Sequence, residues 1–483
     1  MKQRLTLLFS LFVLFQISTA QTIVSVTYLE TATAAQLANG NPFLLSFLEF
    51  DVDSYRVIYT TDDLDGNEVE VSGLLTIPND PGKQYPLLVY QHGTSGSPED
   101  VPSDPNNGNA YLTQLYSSLG YVGIAPDLLG LGVHEGIHPY VHADSEAWVA
   151  ADMIRAVRSY ADNPDNELFI NDQIFVTGYS QGGHSSMALH REIESNLGGE
   201  MTVTAGSHQS GPYSISGVMR ELLFTDEDYG FVAYLPNTAL AMQAAYGNIY
   251  NELSDIFKPQ YIDLVQQFAD DELNLFDLNE QLIDSLLLYE GVAAPGRLFL
   301  DSVIDEVQTN PDHPVNLALK DNDVYDWAPQ APTRILYCMA DDQVPFMNSI
   351  IANDTMQANG AAELITADVS PTSDHVSCVE PAIISTIFFF GAYQLVEELV
   401  NTENIVYDLP FEVFPNPVDN QLNIKDLPIS GRYVIYDVKG QIVQENFLTE
   451  GDHQLDMSTL NSGAYYMQII GESNVFQHKI MKR

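Results

Sequence analysis

The chain has 483 residues, of which 66 are acidic and 18 are basic, so its formal net charge at pH 7 is −48. Such a charge repels nucleic acids and anionic membrane surfaces, and it argues against both classes of partner. The length exceeds that of one ordinary domain, so two folded units plus processing segments are expected.

The N-terminus has the pattern of a secretory signal peptide. Lys2 and Arg4 precede an apolar run at residues 5–17, and small residues follow up to Ala20. We expect cleavage after Ala20, because a positive start, a short apolar run and a small-residue site define such segments. The run is too short for a membrane span, and no transmembrane segment is predicted elsewhere in the sequence.

Residues 21–210 alternate strand patterns with helix patterns. Two alternating strands, at 55–60 and 68–77, flank Asp65-Gly66, which predicts a hairpin. Compact apolar runs follow at 85–91, 121–125 and 174–177, and a helix pattern covers 145–160. This alternation predicts βα units and a mostly parallel central sheet, as in an α/β protein.

The spacing of apolar residues changes twice further along the chain. Residues from about 213 to 330 have apolar residues at helical spacing, which predicts a helical insertion. Strand patterns resume at 334–339 and 363–367, and a helix is predicted over 381–400, so that residues 21–400 form one domain.

The tail is predicted to be a separate module. After a linker at 401–410, residues 411–483 form short alternating segments separated by Gly, Pro, Asn and Ser. Such a pattern is typical of a small all-β sandwich.

The motif with the clearest chemistry is Gly178-Tyr179-Ser180-Gln181-Gly182, between a predicted strand and a predicted helix. A serine on such a sharp turn needs glycines two residues away on both sides, because a Cβ there would clash. The motif alone occurs often by chance, and the flanking strand and helix make it informative. We predict that Ser180 is a catalytic nucleophile.

A serine nucleophile needs a base and an orienting carboxylate, and in this type of site the order along the chain is Ser, Asp or Glu, His. Asp341 and His375 follow the predicted strands at 334–339 and 363–367. We therefore predict Asp341 as the acid and His375 as the base, with Asp342 as the alternative acid. The alternative is that Asp341 is an ordinary carboxylate in a turn and that His375 is an ordinary histidine in a loop.

An oxyanion hole is predicted from two main-chain N–H groups. Gly93-Thr94 follows the strand at 85–91, and Gln181 follows the nucleophile. We expect the N–H groups of Thr94 and Gln181 to hold the oxyanion of an acyl-transfer reaction. The alternative for the Thr94 segment is a plain turn.

Several segments resemble the secretory lipase branch of the α/β hydrolases, over about residues 50–395. They are Tyr55 to Asp62, Val71 to Pro78, Gln91 to Thr94, Pro126 to Gly132, the Ser180 motif, and Asp341 to Pro345. The resemblance implies an α/β-hydrolase fold whose helical insertion caps an acyl pocket. It also implies hydrolysis of a small ester or lipid substrate through an acyl-enzyme, and no cofactor is required.

The tail resembles a second family. Phe414-Pro415-Asn416-Pro417, the segment Leu460 to Tyr466 and the basic end at 479–483 look like the type IX secretion C-terminal sorting domain. This resemblance implies the type IX machinery as a partner, and export across the outer membrane of a Bacteroidetes-type bacterium. The protein is then secreted or held at the outer cell surface. The alternative is a carbohydrate- or surface-binding sandwich.

The two cysteines lie near the predicted acid and base. Cys338 precedes Asp341 by three residues, and Cys378 follows His375 by three. Because Asp341 and His375 must be close if they hydrogen-bond, we hypothesise a disulfide between Cys338 and Cys378. Two free thiols are the alternative.

Three histidines ahead of the predicted helix at 145–160 have a spacing that metal ligands can show. His134, His138 and His142 recur every four residues, as on a metal-binding helix face. Nearby glycines and Pro139 would break such a helix, so we expect no metal. His184 and His190 follow the nucleophile and are expected to have packing or solvent roles.

The sequence is compatible with three functions. An esterase or lipase is the first, and a serine peptidase or amide hydrolase on the same triad is the second. The third is a non-catalytic surface protein that retains the fold. The triad alone does not separate the first two, because they differ mainly in the leaving group.

Overall fold

The computed structural model describes residues 21–106, 108–399, 411–437, 442–471 and 475–483. The chain divides into two compact units, Met1–Leu399 and Val400–Arg483. The predicted signal peptide (1–20) and the predicted linker (401–410) lie outside the described residues.

The first unit is built on a ten-stranded sheet, counted over the described residues. Its strands are β1 (Ile23–Ala32), β2 (Val52–Asp62), β3 (Glu68–Pro78), β4 (Lys83–Gln91), β5 (Val122–Pro126), β6 (Ile170–Tyr179), β7 (Ala205–Gln209), β8 (Thr333–Tyr337), β9 (Leu364–Asp368) and β10 (Glu397–Glu398). Their order is β1-β2-β3-β5-β4-β6-β7-β8-β9, with β10 paired to β4. The pairs from β5 to β9 are parallel, whereas β1, β2, β3 and β10 pair antiparallel with their neighbours.

Twelve α-helices accompany the sheet in the described part of this unit. They are α1 (Ala34–Leu37), α2 (Pro42–Leu45), α3 (Tyr111–Ser118), α4 (Ala143–Ala161), α5 (Gln181–Asn196), α6 (Tyr234–Tyr246), α7 (Pro259–Ala269), α8 (Leu275–Tyr289), α9 (Asp301–Thr309), α10 (Pro314–Asp321), α11 (Met347–Asn359) and α12 (Val379–Gly391). No described helix has both the length and the apolar composition needed to cross a membrane.

Alternate residues of the central strands face two different helix layers. On β4, Leu87 and Val89 share a core with α4 and α5, whereas Leu88 and Tyr90 share a core with α3 and α12. Side chains of a strand alternate between its faces, and here both faces are covered. This explains why the central strands are continuous apolar runs in the sequence.

The predicted hairpin at Asp65-Gly66 is confirmed. β2 and β3 pair antiparallel from Val52 opposite Pro78 to Asp62 opposite Glu68. Gly66 turns the chain with φ +78°, in the left-handed region that glycine adopts readily.

The segment between β7 and β8 is helical and has its own core. On α8, Leu275, Leu278, Leu282 and Leu286 lie on one stripe and are buried against neighbouring helices of the insertion. This spacing of three and four residues places them on one face. The opposite face is exposed, with Leu288 retaining 75% of its accessible surface.

The last helix of this unit is shorter than the predicted span 381–400. α12 ends at Gly391, and the chain then makes tertiary hydrogen bonds instead of helical ones. The Gln394 amide donates to the carbonyls of Leu119 and Gly120, and β10 pairs with β4. Apolar periodicity continues past Gly391 in the sequence, so these long-range bonds were not visible there.

The second unit is a small all-β module. Its strands are β11 (Glu412–Phe414), β12 (Gln421–Leu427), β13 (Gly431–Tyr436), β14 (Ile442–Leu448), β15 (Gly451–Asp456), β16 (Gly463–Ile470) and β17 (Val475–Lys482). They form two sheets, β11-β12-β15 and β14-β13-β16-β17. Leu422 and Ile424 of the first sheet share one buried core with Ile435 and Met467 of the second, which is the arrangement of a sandwich.

Candidate active site

Ser180 lies on a sharp turn between β6 and α5. Its backbone has φ +63° and ψ −124°, a conformation that costs energy for a residue with a side chain. Its N–H donates to the carbonyl of Gln209 on the neighbouring strand β7, at 3.0 Å. The surrounding structure therefore holds the serine in a strained position at the N-terminus of a helix.

The glycines of the motif are required by close backbone approaches. A Cβ at Gly178 would lie 2.2 Å from the carbonyl oxygen of Gly182, and a Cβ at Gly182 would lie 2.0 Å from that of Gln91. No real Cβ tolerates such distances to backbone atoms. The sequence pattern around Ser180 thus follows from the packing of β6, α5 and the end of β4.

The structure brings the three predicted catalytic residues together. His375 Nε2 lies 2.9 Å from Ser180 Oγ, and His375 Nδ1 lies 2.7 Å from Asp341 Oδ2. The Asp341 carboxylate also accepts the N–H groups of Gln343 and Val344 at 3.0 and 2.8 Å. Because a carboxylate faces Nδ1, that nitrogen carries the hydrogen, and Nε2 is left to accept from the Ser180 hydroxyl.

Asp342, the alternative acid, occupies a different place. Its Oδ1 accepts the main-chain N–H of His375 at 3.1 Å and does not contact the imidazole ring nitrogens. The side chain of Asp341 is only 1% exposed. The geometry therefore favours Asp341 as the partner of the ring and leaves Asp342 to orient the loop.

Two further contacts hold the loop that carries His375. The Tyr179 hydroxyl donates to the carbonyl of His375 at 2.5 Å, and the two rings lie 5.0 Å apart. Cys338 and Cys378 form a disulfide that links the segments carrying Asp341 and His375. Tyr179 was not singled out from the sequence, although it immediately precedes the nucleophile.

The two predicted oxyanion donors flank Ser180. Within the described residues, the main-chain N–H groups of Thr94 and Gln181 donate to no protein acceptor. Gly93 lies close to the nucleophile, since a Cβ there would be 3.9 Å from Ser180 Cβ. The Thr94 hydroxyl lies 3.2 Å from the hydroxyl of Tyr140. Gln181 thus adjoins the nucleophile along the chain, and the segment Gly93-Thr94 lies beside it in space.

A buried polar network lies behind Gln181. Its amide nitrogen is 2.8 Å from His138 Nε2 and 2.8 Å from Glu146 Oε1, and Glu146 Oε2 is 2.7 Å from His184 Nδ1. Sequence reasoning missed Glu146. The available signal was its position on α4, four residues before buried Ala150, which places a carboxylate on an apolar helix face.

The histidines considered as metal ligands have separate partners. His134 Nδ1 accepts the N–H of Gly130, His138 Nδ1 faces the carbonyl of Leu129, and His142 caps the N-terminus of α4. In the described parts of the chain, no group of three or more His, Cys, Asp or Glu side chains is arranged to hold a metal ion. His184 and His190 are both fully buried.

An apolar cavity includes Ser180 in its lining and is formed largely by the helical insertion. Its volume is about 1040 Å³, including the space at its open mouth. Aliphatic lining residues include Ile215, Met219, Leu223, Val303, Val307 and Leu319. The one cation in the lining, Arg220, donates to Asn316 Oδ1 and to the Val307 carbonyl at 2.7 and 2.6 Å, so it is already occupied.

Solved structures identify the architecture of the first unit. A ligand-bound form of the rice cell wall degrading esterase LipA from Xanthomonas oryzae is 27% identical, with a TM-score of 0.64, and the match covers 77% of this chain and 98% of that one. A putative hydrolase from Legionella pneumophila is 25% identical, with a TM-score of 0.69 and the same coverage. Candida antarctica lipase A shares the fold at 16% identity, with a TM-score of 0.55, over 76% of this chain and 82% of that one. The predicted α/β-hydrolase fold is therefore confirmed.

A family match identifies the second unit. Residues 412–483 match the family described as the secretion system C-terminal sorting domain. The chain thus combines a hydrolase fold similar to known esterases and lipases with a sorting module, and both resemblances predicted from its motifs are confirmed. No curated protein sequence matches this chain.

Proposed function

We propose that this protein is a secreted serine hydrolase that cleaves carboxylic esters with apolar acyl groups. The observation that carries the proposal is the apolar cavity, which includes Ser180 in its lining and has almost no free polar groups there. Binding sites match the chemistry of their ligands, and a long aliphatic or aromatic acyl chain suits this one. A peptide substrate would place polar amides against the same walls without partners.

The proposed reaction has two acyl-transfer steps. His375 Nε2 takes the proton of Ser180 as its oxygen attacks the ester carbonyl, and the imidazolium then protonates the leaving alcohol. Asp341 orients the ring and stabilises its charged form. Water then attacks the acyl-enzyme with the help of the same histidine and releases the acid. The N–H groups of Thr94 and Gln181 hold the oxyanion in both steps, and one such donor is typically worth about 10²–10³ in rate.

Similar proteins support this proposal. The solved relative from Xanthomonas oryzae is named as an esterase, and its match spans nearly its whole chain. At 25–27% identity, such a likeness supports ester hydrolysis without specifying the acyl group or the alcohol.

The test is a hydrolysis profile on p-nitrophenyl esters from C2 to C16, with Ser180→Ala as the control. We expect activity that vanishes in Ser180→Ala and extends to long acyl chains. Activity on an aminoacyl anilide but on no ester would instead favour the peptidase hypothesis. Failure of a fluorophosphonate to label Ser180 would favour the non-catalytic one.

The acyl cavity has its own test. Ala239 lines the cavity, so Ala239→Phe should fill part of it and lower kcat/KM for C12–C16 esters at least about tenfold more than for C2–C4 esters. Leu288→Phe, on the exposed face of α8, is the matched control and should leave the profile unchanged. Equal effects on short and long esters would contradict this assignment of the cavity.

We also propose that the protein is exported in two steps. The signal peptide would be cleaved after Ala20, and residues 412–483 would direct the protein to a type IX secretion system. N-terminal sequencing of the exported protein should begin at Gln21. Removal of residues 412–483 should retain the enzyme in the periplasm, whereas secretion of the truncated chain would contradict the sorting role.

A further inference from the structure

The side chain of Gln181 can be assigned one orientation from its partners. His138 Nδ1 lies 2.8 Å from the carbonyl of Leu129, which accepts only, so this nitrogen carries the hydrogen. His138 Nε2 must then accept, and it lies 2.8 Å from the terminal nitrogen of Gln181. That nitrogen donates its second hydrogen to Glu146 Oε1. A flipped amide would place its oxygen between two acceptors.

Glu146 is held in turn by His184. His184 Nε2 lies 2.9 Å from the carbonyl of Asn322 and must donate to it, while Nδ1 faces Glu146 Oε2 at 2.7 Å. A proton therefore lies between Nδ1 and the carboxylate, and the pair is neutral overall whichever partner holds it. The side chains of His184 and Glu146 are 0% and 1% exposed. Neutrality matters, because an unpaired anion here would oppose a developing oxyanion at Ser180.

The network attaches one oxyanion donor to the rest of the fold. Gln181 is the first residue of α5, so its N–H takes no part in the helical ladder and directly follows the strained Ser180. Its side chain is anchored at two points, on α4 through Glu146 and on the loop before α4 through His138. Two anchors restrict the rotation of the peptide that carries the N–H group.

We propose that Glu146, with His184 behind it, is a positioning residue that holds the main-chain N–H of Gln181 in place as an oxyanion donor. This inference rests on the proposed serine-hydrolase function and adds to it residues that never touch the substrate. Glu146 acts by geometry through Gln181, so its loss should lower kcat and leave KM unchanged.

The isosteric variant separates geometry from charge. In Glu146→Gln, the new amide oxygen still accepts from Gln181, and the new amide nitrogen donates to neutral His184 Nδ1. Every hydrogen bond is preserved, so kcat should stay within about threefold of the wild type. Glu146→Ala removes both bonds, and because a full oxyanion donor is worth about 10²–10³, a displaced one should cost about 10- to 100-fold in kcat.

The closing experiment measures kcat and KM on a p-nitrophenyl ester and the rate of Ser180 labelling by a fluorophosphonate, whose phosphoryl oxygen uses the same hole. The variants are Glu146→Ala, Glu146→Gln, Gln181→Met, and the double variant Glu146→Ala with Gln181→Met. Asp144→Asn, which removes a 70% exposed carboxylate from the first turn of α4, is the matched control. Thermal unfolding of each variant accompanies the kinetics.

We expect Glu146→Ala and Gln181→Met to lower kcat and the labelling rate by similar factors. The double variant should lose no more than either single variant. Glu146→Gln and Asp144→Asn should retain both kcat and the labelling rate. If the losses of kcat in the two single variants multiply in the double variant, the inference is overturned. Equal losses in Glu146→Gln and Glu146→Ala would also overturn it. If Glu146→Ala does not fold, an unimpaired Gln181→Met overturns it alone. A wild type that is labelled but hydrolyses no ester contradicts the ester substrate only, and labelling still tests the network.

Discussion

At the scale of single residues, two adjacent carboxylates near His375 have distinct positions. Asp341 accepts from the ring and from two main-chain N–H groups, whereas Asp342 accepts only from the main-chain N–H of His375. In the proposed mechanism, the first contact stabilises an imidazolium, whereas the second holds only the main chain of His375. This difference gives a sharp test of the proposed acid.

Asp341→Asn should lower kcat by about 10³–10⁴, because an amide cannot stabilise the imidazolium and favours the wrong tautomer. Asp342→Asn is the matched control, because its amide oxygen can still accept the N–H of His375, and kcat should fall less than about threefold. Steady-state hydrolysis of a p-nitrophenyl ester measures both. The reverse ranking would assign the acid to Asp342.

The environment of His138 leads to a prediction of how the stability of the protein depends on pH. Desolvation of its ring lowers its pKa to about 4, although the carbonyl of Leu129 and the charge of Glu146 partly oppose this shift. Its ordinary value is 6.5, so between pH 6.5 and pH 4 the unfolded chain binds a proton that the folded chain does not. The stability that His138 contributes above pH 6.5 is therefore lost as the pH falls towards 4.

The expected loss is at most about 3 kcal/mol, since one pKa unit corresponds to about 1.4 kcal/mol and His138 is only partly buried. Denaturant unfolding at pH 7 and pH 4 should show a smaller loss of stability in His138→Gln than in the wild type. Identical losses would show that His138 titrates normally in the folded protein.

At the scale of elements, the site depends on segments that follow β6, β8 and β9. Carboxyl ends of parallel strands meet at one edge of a sheet, which is where such sites form. The loops after β8 and β9 carry Asp341 and His375, and the disulfide joins Cys338 to Cys378 across 40 residues of chain. The cross-link should therefore contribute to both stability and catalysis.

Replacing both cysteines by alanine should lower the free energy of unfolding by about 4 kcal/mol, the loop-closure value for this separation. We also expect a lower kcat, because the acid and base loops lose a mutual constraint. Guanidinium unfolding and ester hydrolysis measure the two effects, and wild-type protein treated with a reductant is the control. Unchanged unfolding in both samples would contradict the structural role of the bridge.

Strand β7 shows why some elements escape prediction. Its sequence, Ala-Gly-Ser-His-Gln, has no apolar pattern, yet all five residues are buried. Their polar groups find partners from distant parts of the chain: Ser207 bonds to Thr386, His208 to Ser186 and His190, and Gln209 to Thr177. Such a strand forms only when these partners have assembled around it.

At the scale of the whole molecule, the two units have separate cores and resemble different known proteins. Every residue of the proposed site lies in Met1–Leu399, and the sorting module lies in Val400–Arg483. Each unit buries its own apolar cluster. Catalysis should therefore not require the tail.

A protein consisting of residues 21–399 should hydrolyse esters with kcat/KM within about twofold of a chain that extends to residue 483. The same truncation carrying Ser180→Ala controls for contaminating esterases. A truncated protein that is folded by circular dichroism but inactive would show that the sorting module contributes to the site.

The sequence by itself determined the features that depend only on residues close together along the chain. Apolar runs specified the buried strands β4, β5 and β6, and Gly178 and Gly182 marked the turn at Ser180, because a Cβ at either position would strike backbone. The order of Ser180, Asp341 and His375 along the chain pointed to one type of site.

Only the tertiary structure decided the rest. Asp341 and Asp342 are neighbours in sequence, and what separates them is the direction of each carboxylate relative to a loop 33 or 34 residues away. Glu146 became relevant through contacts with Gln181 and His184, 35 and 38 residues further on. The apolar cavity combines Ser180 with side chains from the helical insertion. These features depend on which distant groups share a space, and local sequence patterns carry no information about that.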